Sequence, residues 1–336
     1  MIQLTDPMRA LLIYNPSSGN NRARRQHQVA AVEAAFDAAG HQTDILATTG
    51  PGSAPQQVRE HCARTPVDAV IACGGDGTMN EVLQAMVADR IPARLGIIPL
   101  GTGNVVGNDL GLSRNPAQAA RQLLAAKPTR IVVGQISYVD RQQQPASRYF
   151  LAVAGAGGDA LLMYRTAAAG FKQRGGMAAY YAAMINIGFF APFGKFECSY
   201  QEESGITHTR GVIQAAGVRI TNFGGLMRRW APGAALKHDY FRLVMFTTRS
   251  RTRFVAYSAL RICGLSANVP GVDIVNTRKF TMSAVDPQQH RIYVECDGEL
   301  LGTLPAEISI VPDAVTLLVP AAQTATERAA QHLYCF

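Results

Sequence analysis

Three glycines and an acid stand together in Cys73-Gly74-Gly75-Asp76-Gly77-Thr78-Met79-Asn80-Glu81, and their order points to phosphate chemistry. A turn built from residues without Cβ atoms lets backbone N–H groups approach an anion closely. A helix that follows adds unpaired donors and a partial positive charge in its first turn. Asp76 is out of place among such donors: its carboxylate would repel phosphate unless a divalent cation lay between, so the stretch suggests a metal-bound nucleotide. A tight strand-to-helix turn with an Asp or Thr cap would use the same residues without any ligand. Two other loops share the chemistry. Asn15-Pro16-Ser17-Ser18-Gly19-Asn20-Asn21 is rich in hydroxyl, amide and glycine, and Leu100-Gly101-Thr102-Gly103-Asn104 is a second glycine turn. Far along the chain, Asp297-Gly298-Glu299 sets two carboxylates around a glycine, although Asp-Gly by itself is the strongest short hairpin signal.

The elements around these loops alternate. Ala10 to Tyr14 reads as a strand, and the helix after the first loop carries Val29, Val32 and Phe36 on one side, with Arg22, Arg24 and Arg25 at its start. Cations are disfavoured there by the helix dipole, so a nearby anion would account for them, as would a solvated helix end. His41 to Ala47 is a second strand, and the turn Thr48-Thr49-Gly50-Pro51-Gly52-Ser53 leads to a helix ending near Arg64. Val67, Val70, Ile71 and Cys73 make the strand before the central glycines. Met79, Val82, Leu83, Met86 and Val87 fall at i, i+3, i+4, i+7 and i+8 after them, the stripe of a core-facing helix. Leu95 to Pro99 is a fourth strand, and Pro116 to Ala126 is helical. This alternation implies an open parallel sheet with helices on both faces, whose ligands bind beyond the strands' carboxyl ends, so all three loops would share one edge.

From Arg130 the apolar runs become short, β-branched and often alternating: Ile131 to Tyr138, Tyr149 to Ala154, Gly211 to Ile220, Phe241 to Thr247, Phe280 to Ala284, Arg291 to Cys296 and Ile308 to Val311. Helices are expected near Ala160 to Gly170, Gly176 to Phe190 and Arg251 to Cys263. The chain therefore divides into an α/β nucleotide-binding domain over 1–128 and a β-rich domain over 129–319, with a tail from about 320 to 336 that could pack back on the first.

Composition bounds the function. With 336 residues, 48% hydrophobic and 17% charged, the chain can fold as two globular domains, and its net charge of +8 favours polyanionic partners. The arginines are scattered without interleaved aromatic platforms, which argues against nucleic acid. Six cysteines without a C-x-x-C pair suit reduced thiols in a cytoplasm rather than disulfides or zinc. Met1 to Arg9 carries Asp6 and Pro7 and lacks the order of a signal peptide, so no export is expected. Twenty uncharged residues lie between Arg174 and Lys195, the length of a membrane span. Their glycines, Asn186, Pro192 and many alanines favour a buried or interface-facing helix instead.

Taken together, these motifs resemble the diacylglycerol kinase catalytic-domain family, the soluble bacterial lipid kinases related to sphingosine kinases. Asn15-Pro16-x-Ser18-Gly19, Gly74-Gly75-Asp76-Gly77-Thr78 with Asn80-Glu81, and Pro99 to Asn104 match its nucleotide loops in order, and Thr48 with Ala54 fits a further position near the phosphates. Gly157-x-Asp159-Ala160, Lys172 with Gly176 and Tyr180, Asn222, and Asp297-Gly298-Glu299 are similar to signatures of its second half. The resemblance implies a nucleotide domain like that of NAD kinase and phosphofructokinase, a β-sandwich lipid domain, an active site in the cleft between them, and transfer of the ATP γ-phosphoryl group to a lipid hydroxyl with Mg²⁺. On this basis Asn15, Ser18, Gly19, Thr48, Gly74, Gly75, Asp76, Gly77, Thr78, Asn80, Glu81, Gly101, Thr102, Gly103, Asn104, Asp297 and Gly298 are the nucleotide-binding candidates. Asp159 is the substrate candidate, with a helix N-cap as its other role. Asp76 would position metal or phosphate and Glu299 would receive the hydroxyl proton, the opposite assignment staying open.

One segment departs from the family. Lys237-His238-Asp239-Tyr240-Phe241-Arg242 keeps a single carboxylate where some members hold a structural magnesium, which puts that accessory site in doubt. An NAD kinase would share Gly74 to Thr78, but the Asn15 to Gly19 loop argues against it. The acceptor is most simply a diacylglycerol-like lipid, with a sphingoid base, or a non-catalytic nucleotide- or lipid-binding regulator, as alternatives. Leu226-Met227-Arg228-Arg229-Trp230 and the group Arg249, Arg251 and Arg253 suggest peripheral docking on an anionic membrane. A homodimer is left open.

Overall fold

A computed structural model describes residues 7–17, 22–158, 194–223, 230–263, 265, 268–286 and 291–321. The chain forms two compact units, Met1–Ile131 with Asp313–Phe336, and Val132–Pro312.

The first unit is built on short strands that are apolar toward the middle of the sheet and polar at its edge, where Gln42, Thr43 and Asp44 lie. β1 (Arg9–Tyr14), β2 (Gln42–Ala47), β3 (Ala69–Gly74) and β4 (Arg94–Pro99) form a parallel sheet. Its order is β2-β1-β3-β4, extended at β4 by the last residues of β15 (Glu299–Val319) through Thr316↔Arg94 and Leu317↔Leu95. All six residues of β3 are buried, as expected for a central parallel strand covered on both faces. Between the strands run α1 (Arg22–Asp37), α2 (Ala54–Arg64) and α3 (Asp76–Ala88), followed by α4 (Val105–Asp109) and α5 (Pro116–Leu124). α1 packs on α5, and α2 packs on α3. The expected helical stripes are core: Val29, Val32, Phe36, Met79, Val82, Leu83, Met86 and Val87 are all buried. Pro116 at the first position of α5 and the Asn115 side chain accepting from the Gln118 N–H (3.0 Å) mark a capped start.

The second unit is antiparallel. It comprises β5 (Lys127–Asp140, entered from the first unit), β6 (Pro145–Phe150), β7 (Val153–Gly157), β8 (Phe196–Gln201), β9 (Thr207–Val212), β10 (Gln214–Val218) and β11 (Phe241–Phe246). These are followed by α6 (Arg251–Ile262), β12 (Val272–Thr277), β13 (Lys279–Ala284), β14 (Tyr293–Cys296) and the start of β15. One run of strands is β12-β11-β10-β7-β14-β15; a second is β9-β8-β13-β15, and β5 with β6 makes a hairpin. Both runs contribute to an aromatic core in which Phe150 stacks on Phe241 (5.7 Å between centroids) and Phe280 meets Phe241 edge-on (5.9 Å). The fold class read from the sequence therefore stands, a parallel α/β unit with a β-rich unit after it.

Some local expectations do not hold. The run 149–154 is two strands, because the amides of Leu151, Ala152 and Val153 turn to the Asp297 carboxylate instead of a neighbouring strand. The run 211–220 breaks at Ile213, whose N–H bonds to the Phe246 carbonyl. Trp230 is not a surface anchor. It is 5% exposed in a second apolar cluster, stacked with Phe246 and edge-on to Tyr257, whose hydroxyl donates to its backbone carbonyl (2.5 Å). Arg228 and Arg229 lie outside the described residues. So do Ser18, Gly19, Asp159, Lys172, Gly176, Tyr180, the two helices expected over 160–190, the uncharged stretch and residues 322–336. Among the described residues no helix is long and apolar enough to cross a membrane.

Candidate active site

At the carboxyl edge of the parallel sheet, Asn15, Thr48, Gly50, Pro51, Gly75, Gly77, Thr78 and Glu81 line a concavity of about 200 Å³. Three turns meet there, following β1, β2 and β3, because parallel strands deliver every such turn to the same edge. Asn15 stabilises its own loop, its side-chain oxygen accepting from the Ser17 N–H (2.8 Å). Glu81 reaches back from the second turn of α3 and accepts from the N–H groups of Gly52 (2.9 Å) and Ala54 (3.2 Å). It thereby fixes the second turn against the third. Gly50 and Pro51 were read from the sequence only as parts of a turn, and their place in the lining becomes visible once the turn is seated by Glu81.

The second glycine turn stands directly against the first. The Leu100 N–H donates to the Gly74 carbonyl (2.8 Å), and Gly75 and Gly101 are back to back. A Cβ on Gly101 would fall under 3.0 Å from the Gly75 Cα, and one on Gly75 would lie 3.2 Å from the Gly101 Cα. Asn104 holds this turn shut. It adopts φ 52°, and its amide accepts from the Gly101 N–H (2.8 Å) while donating to the Gly101 carbonyl (2.6 Å). Gly103 lies against Asp76, and Thr102 is exposed.

Asp76 joins the two turns. Its Oδ1 accepts from the Val105 N–H (2.6 Å) at the start of α4. Burial pushes its carboxyl above the usual carboxylate range, against the pull of backbone N–H groups from Val105, Asn104, Asp76 itself and Val106. The acid of the glycine turn thus has a partner in the protein before any cation is considered. Asn80, another candidate, is fully buried in α3 with no hydrogen-bond partner among the described residues for either amide atom of its side chain, although Gln84 bonds to its backbone carbonyl.

In the second unit, Asp297-Gly298 forms the two-residue hairpin joining β14 to β15, with φ 46° and 80° at its centre. The Asp297 carboxylate accepts from Leu151 (3.1 Å), Ala152 (2.9 Å) and Val153 (2.9 Å), and its own N–H donates to the Val153 carbonyl (2.8 Å). Glu299 follows on the rigid hairpin, half-exposed, and pairs with Arg148 of β6 (Nη1 to Oε2, 2.9 Å). Nothing local in the sequence pointed to Arg148, which lies in an ordinary edge run. Asp239 pairs with Arg278 (2.5 Å), and Arg242 donates to the Pro232 carbonyl and Asn276.

Comparisons with known proteins give the chain its family. The sequence matches the diacylglycerol kinase catalytic domain over residues 9–136 and the YegS C-terminal NAD kinase beta sandwich-like domain over residues 152–319. The chain belongs to the diacylglycerol kinase catalytic-domain family. As a member it is a kinase. It is 28% identical over 300 residues to a diacylglycerol kinase of Bacillus subtilis strain 168, covering 89% of this chain and 92% of that relative. It is 25% identical over 312 residues to one of Staphylococcus epidermidis RP62A, covering 93% and 92%. A crystal structure of a Bacillus anthracis diacylglycerol kinase superimposes with TM-score 0.68 at 19% identity, over 94% of this chain and 98% of that one. Yeast NADH kinase gives 0.50 at 9% identity, over 98% and 88%. At these identities the structural likeness speaks for the fold alone.

Proposed function

We propose that this kinase transfers the γ-phosphoryl group of ATP to a hydroxyl of a membrane lipid, most simply a diacylglycerol-like acceptor, in phospholipid metabolism. The observation that carries the reading is the concavity in which three turns converge on the N-terminus of α3, in a chain whose curated relatives are diacylglycerol kinases. Backbone N–H groups at Gly75 and Gly77, with the Thr78 hydroxyl, suit phosphate oxygens, while Asn15, Thr48 and Glu81 shape the rest of the pocket. Gly101 to Asn104 would act from behind, by holding the first turn in place.

Mg²⁺ fits these donors. It keeps waters and substrate phosphates in its shell and takes one or two carboxylates. Asp76 offers one, and among the described residues no three His, Cys, Asp or Glu side chains cluster into a cage of their own. When bound, the ion would neutralise charge on the phosphates. In the transfer, the acceptor oxygen bonds to the γ-phosphorus as the bond to the ADP oxygen breaks, and the hydroxyl proton passes to the Glu299 carboxylate.

Docking on an anionic, cytoplasmic membrane face would fall to α6 and its flanks, where Arg249, Arg253, Val255 and Leu265 are exposed. Each cation near such a surface contributes about 1 kcal/mol. Co-sedimentation with phosphatidylglycerol vesicles should weaken in Arg249→Glu/Arg253→Glu, and unchanged binding would remove α6 from the proposal. The activity itself is tested by incubating the protein with γ-labelled ATP, Mg²⁺ and total bacterial lipid, then identifying the labelled product. ATP binding with no labelled lipid would refute the assignment.

A further inference from the structure

The Glu299 carboxylate is held from one side by a guanidinium that has little else to do. Arg148 sits on β6, in register with Ile136 of β5, and its side chain is 20% exposed against 40% for Glu299. Its Nη1 lies 2.9 Å from Glu299 Oε2, and its Nε is buried with no hydrogen-bond partner among the described residues. Withdrawing a guanidinium this far from water is costly unless its contacts are used, and an ion pair serving only as surface decoration ordinarily leaves the long side chain solvated. Both ends of the pair are mounted on stiff backbone: Arg148 on a hairpin strand, and Glu299 on the first residue of β15, after a turn whose Asp297 is fixed by three amides.

We propose that Arg148 is a positioning residue for Glu299, holding one carboxylate oxygen so that the other keeps a single direction toward the acceptor hydroxyl. The assignment rests on the reading of Glu299 as proton acceptor. A glutamate has three rotatable bonds and, when half-exposed, samples several rotamers. A second anchor at its tip removes that freedom before substrate arrives. Arg148 itself touches neither acceptor nor nucleotide in this scheme.

The test is steady-state kinetics for Arg148→Met, Arg148→Lys, Glu299→Gln and the double variant Arg148→Met/Glu299→Gln, with thermal melts to verify folding. Arg148→Met should lower kcat about 10- to 100-fold with the KM for ATP unchanged, because misdirection of a catalytic group acts on turnover rather than on nucleotide binding. Arg148→Lys should recover part of the loss. The double variant should be no slower than Glu299→Gln alone, since Arg148 acts only through that carboxylate. Equal losses from Arg148→Met in both backgrounds, or a rise in the KM for ATP with kcat unchanged, would overturn the role given to Arg148 while leaving Glu299 in place. Wild-type turnover by Glu299→Gln would instead overturn the proton-acceptor reading, and the positioning role with it. If Arg148→Met does not fold, the lysine variant decides: a kcat between those of wild type and Glu299→Gln, with no further loss when Arg148→Lys is added to Glu299→Gln, supports the anchor, and wild-type kcat or an equal loss in both backgrounds overturns it.

Discussion

Replacing Gly101 by alanine tests whether the paired glycine turns are the frame of the proposed nucleotide site. The new Cβ would stand under 3.0 Å from the Gly75 Cα, 2.9 Å from Asn104 Oδ1 and 3.2 Å from the Gly75 nitrogen. The Gly75 atoms are backbone and cannot swing away as a side-chain tip would. To reach ordinary carbon contact the turns must part by about 1 Å. Such a shift strains the Val105 N–H bond to Asp76 and the Leu100 N–H bond to Gly74. Overpacking costs about 1–3 kcal/mol, and weakening a hydrogen bond to a charged acceptor adds about 1.5 kcal/mol, for a total of about 2.5–4.5 kcal/mol. Displacement of the amides proposed to face phosphate by a comparable distance should cost about 10²-fold in turnover beyond the stability loss. Urea unfolding and kcat/KM per folded molecule separate the two effects. Gly96→Ala is the control for core crowding, since its Cβ meets the movable tips of Ile71, Leu123 and Leu318. Gly50→Ala, with nothing within 4 Å and no positive φ, is the stability control. A Gly101→Ala protein as stable as Gly50→Ala would refute the close-packed frame. Normal turnover despite the stability loss would refute its role in the site.

The two acids and the hairpin give three further expectations. Asp76→Asn should abolish turnover and yet stabilise the fold. The folded-state carboxyl titrates above its unfolded value, so wild-type stability falls as pH rises from about 4 through that raised midpoint, and the asparagine lacks this loss. The difference in Tm between variant and wild type should therefore grow from acid to neutral pH; a constant or shrinking difference refutes the burial argument. Glu299→Gln should keep ATP affinity and lower kcat toward the small end of the 10² to 10⁴-fold typical of general bases, because a loose phosphoryl transfer needs little early deprotonation; calorimetric titration with ATP, together with kinetics, measures both. Asp297→Ala should destabilise by about 3 kcal/mol or more, as three backbone donors lose a charged acceptor, and Asp297→Asn by less. Denaturant titration showing no loss in the alanine variant would remove the clamp.

The glycine turns, the helical stripes and the parallel sheet were legible because each is written in local spacing: Met79 to Val87 repeats with the helix, and β3 is a short apolar run. Partnerships across long chain separations were not. Asp76 finds Val105 29 residues on, and Asp297 finds Leu151 146 residues back, so no window of sequence contains both halves. The same clamp explains the strand boundary at 151–153, where the side chains favour continuing the strand and the amides are drawn elsewhere. Strands β8 and β12 are absent from the expected runs: Asp273 and Asn276 interrupt the apolar residues of β12, whereas the alternation of Phe196, Cys198 and Tyr200 with Glu197 and Ser199 in β8 is a strand signal that was there to be read. Trp230 misled through its arginine neighbours, since flanking charge says nothing about where the indole itself packs. The Arg148–Glu299 pair left no trace at all in local pattern.

The return of residues 313–319 to the first unit bears on how the protein can be made and cut. The edge of the parallel sheet beside β4 is supplied by the end of β15, after the whole second unit has been threaded. On the ribosome the first unit can assemble four of its strands early but must wait for the last of them. Until then its β4 edge keeps exposed hydrogen-bonding groups, open to mispairing. A fragment ending at residue 131 would carry that open edge permanently. A faithful isolated first unit needs residues 313–319 grafted back through a linker.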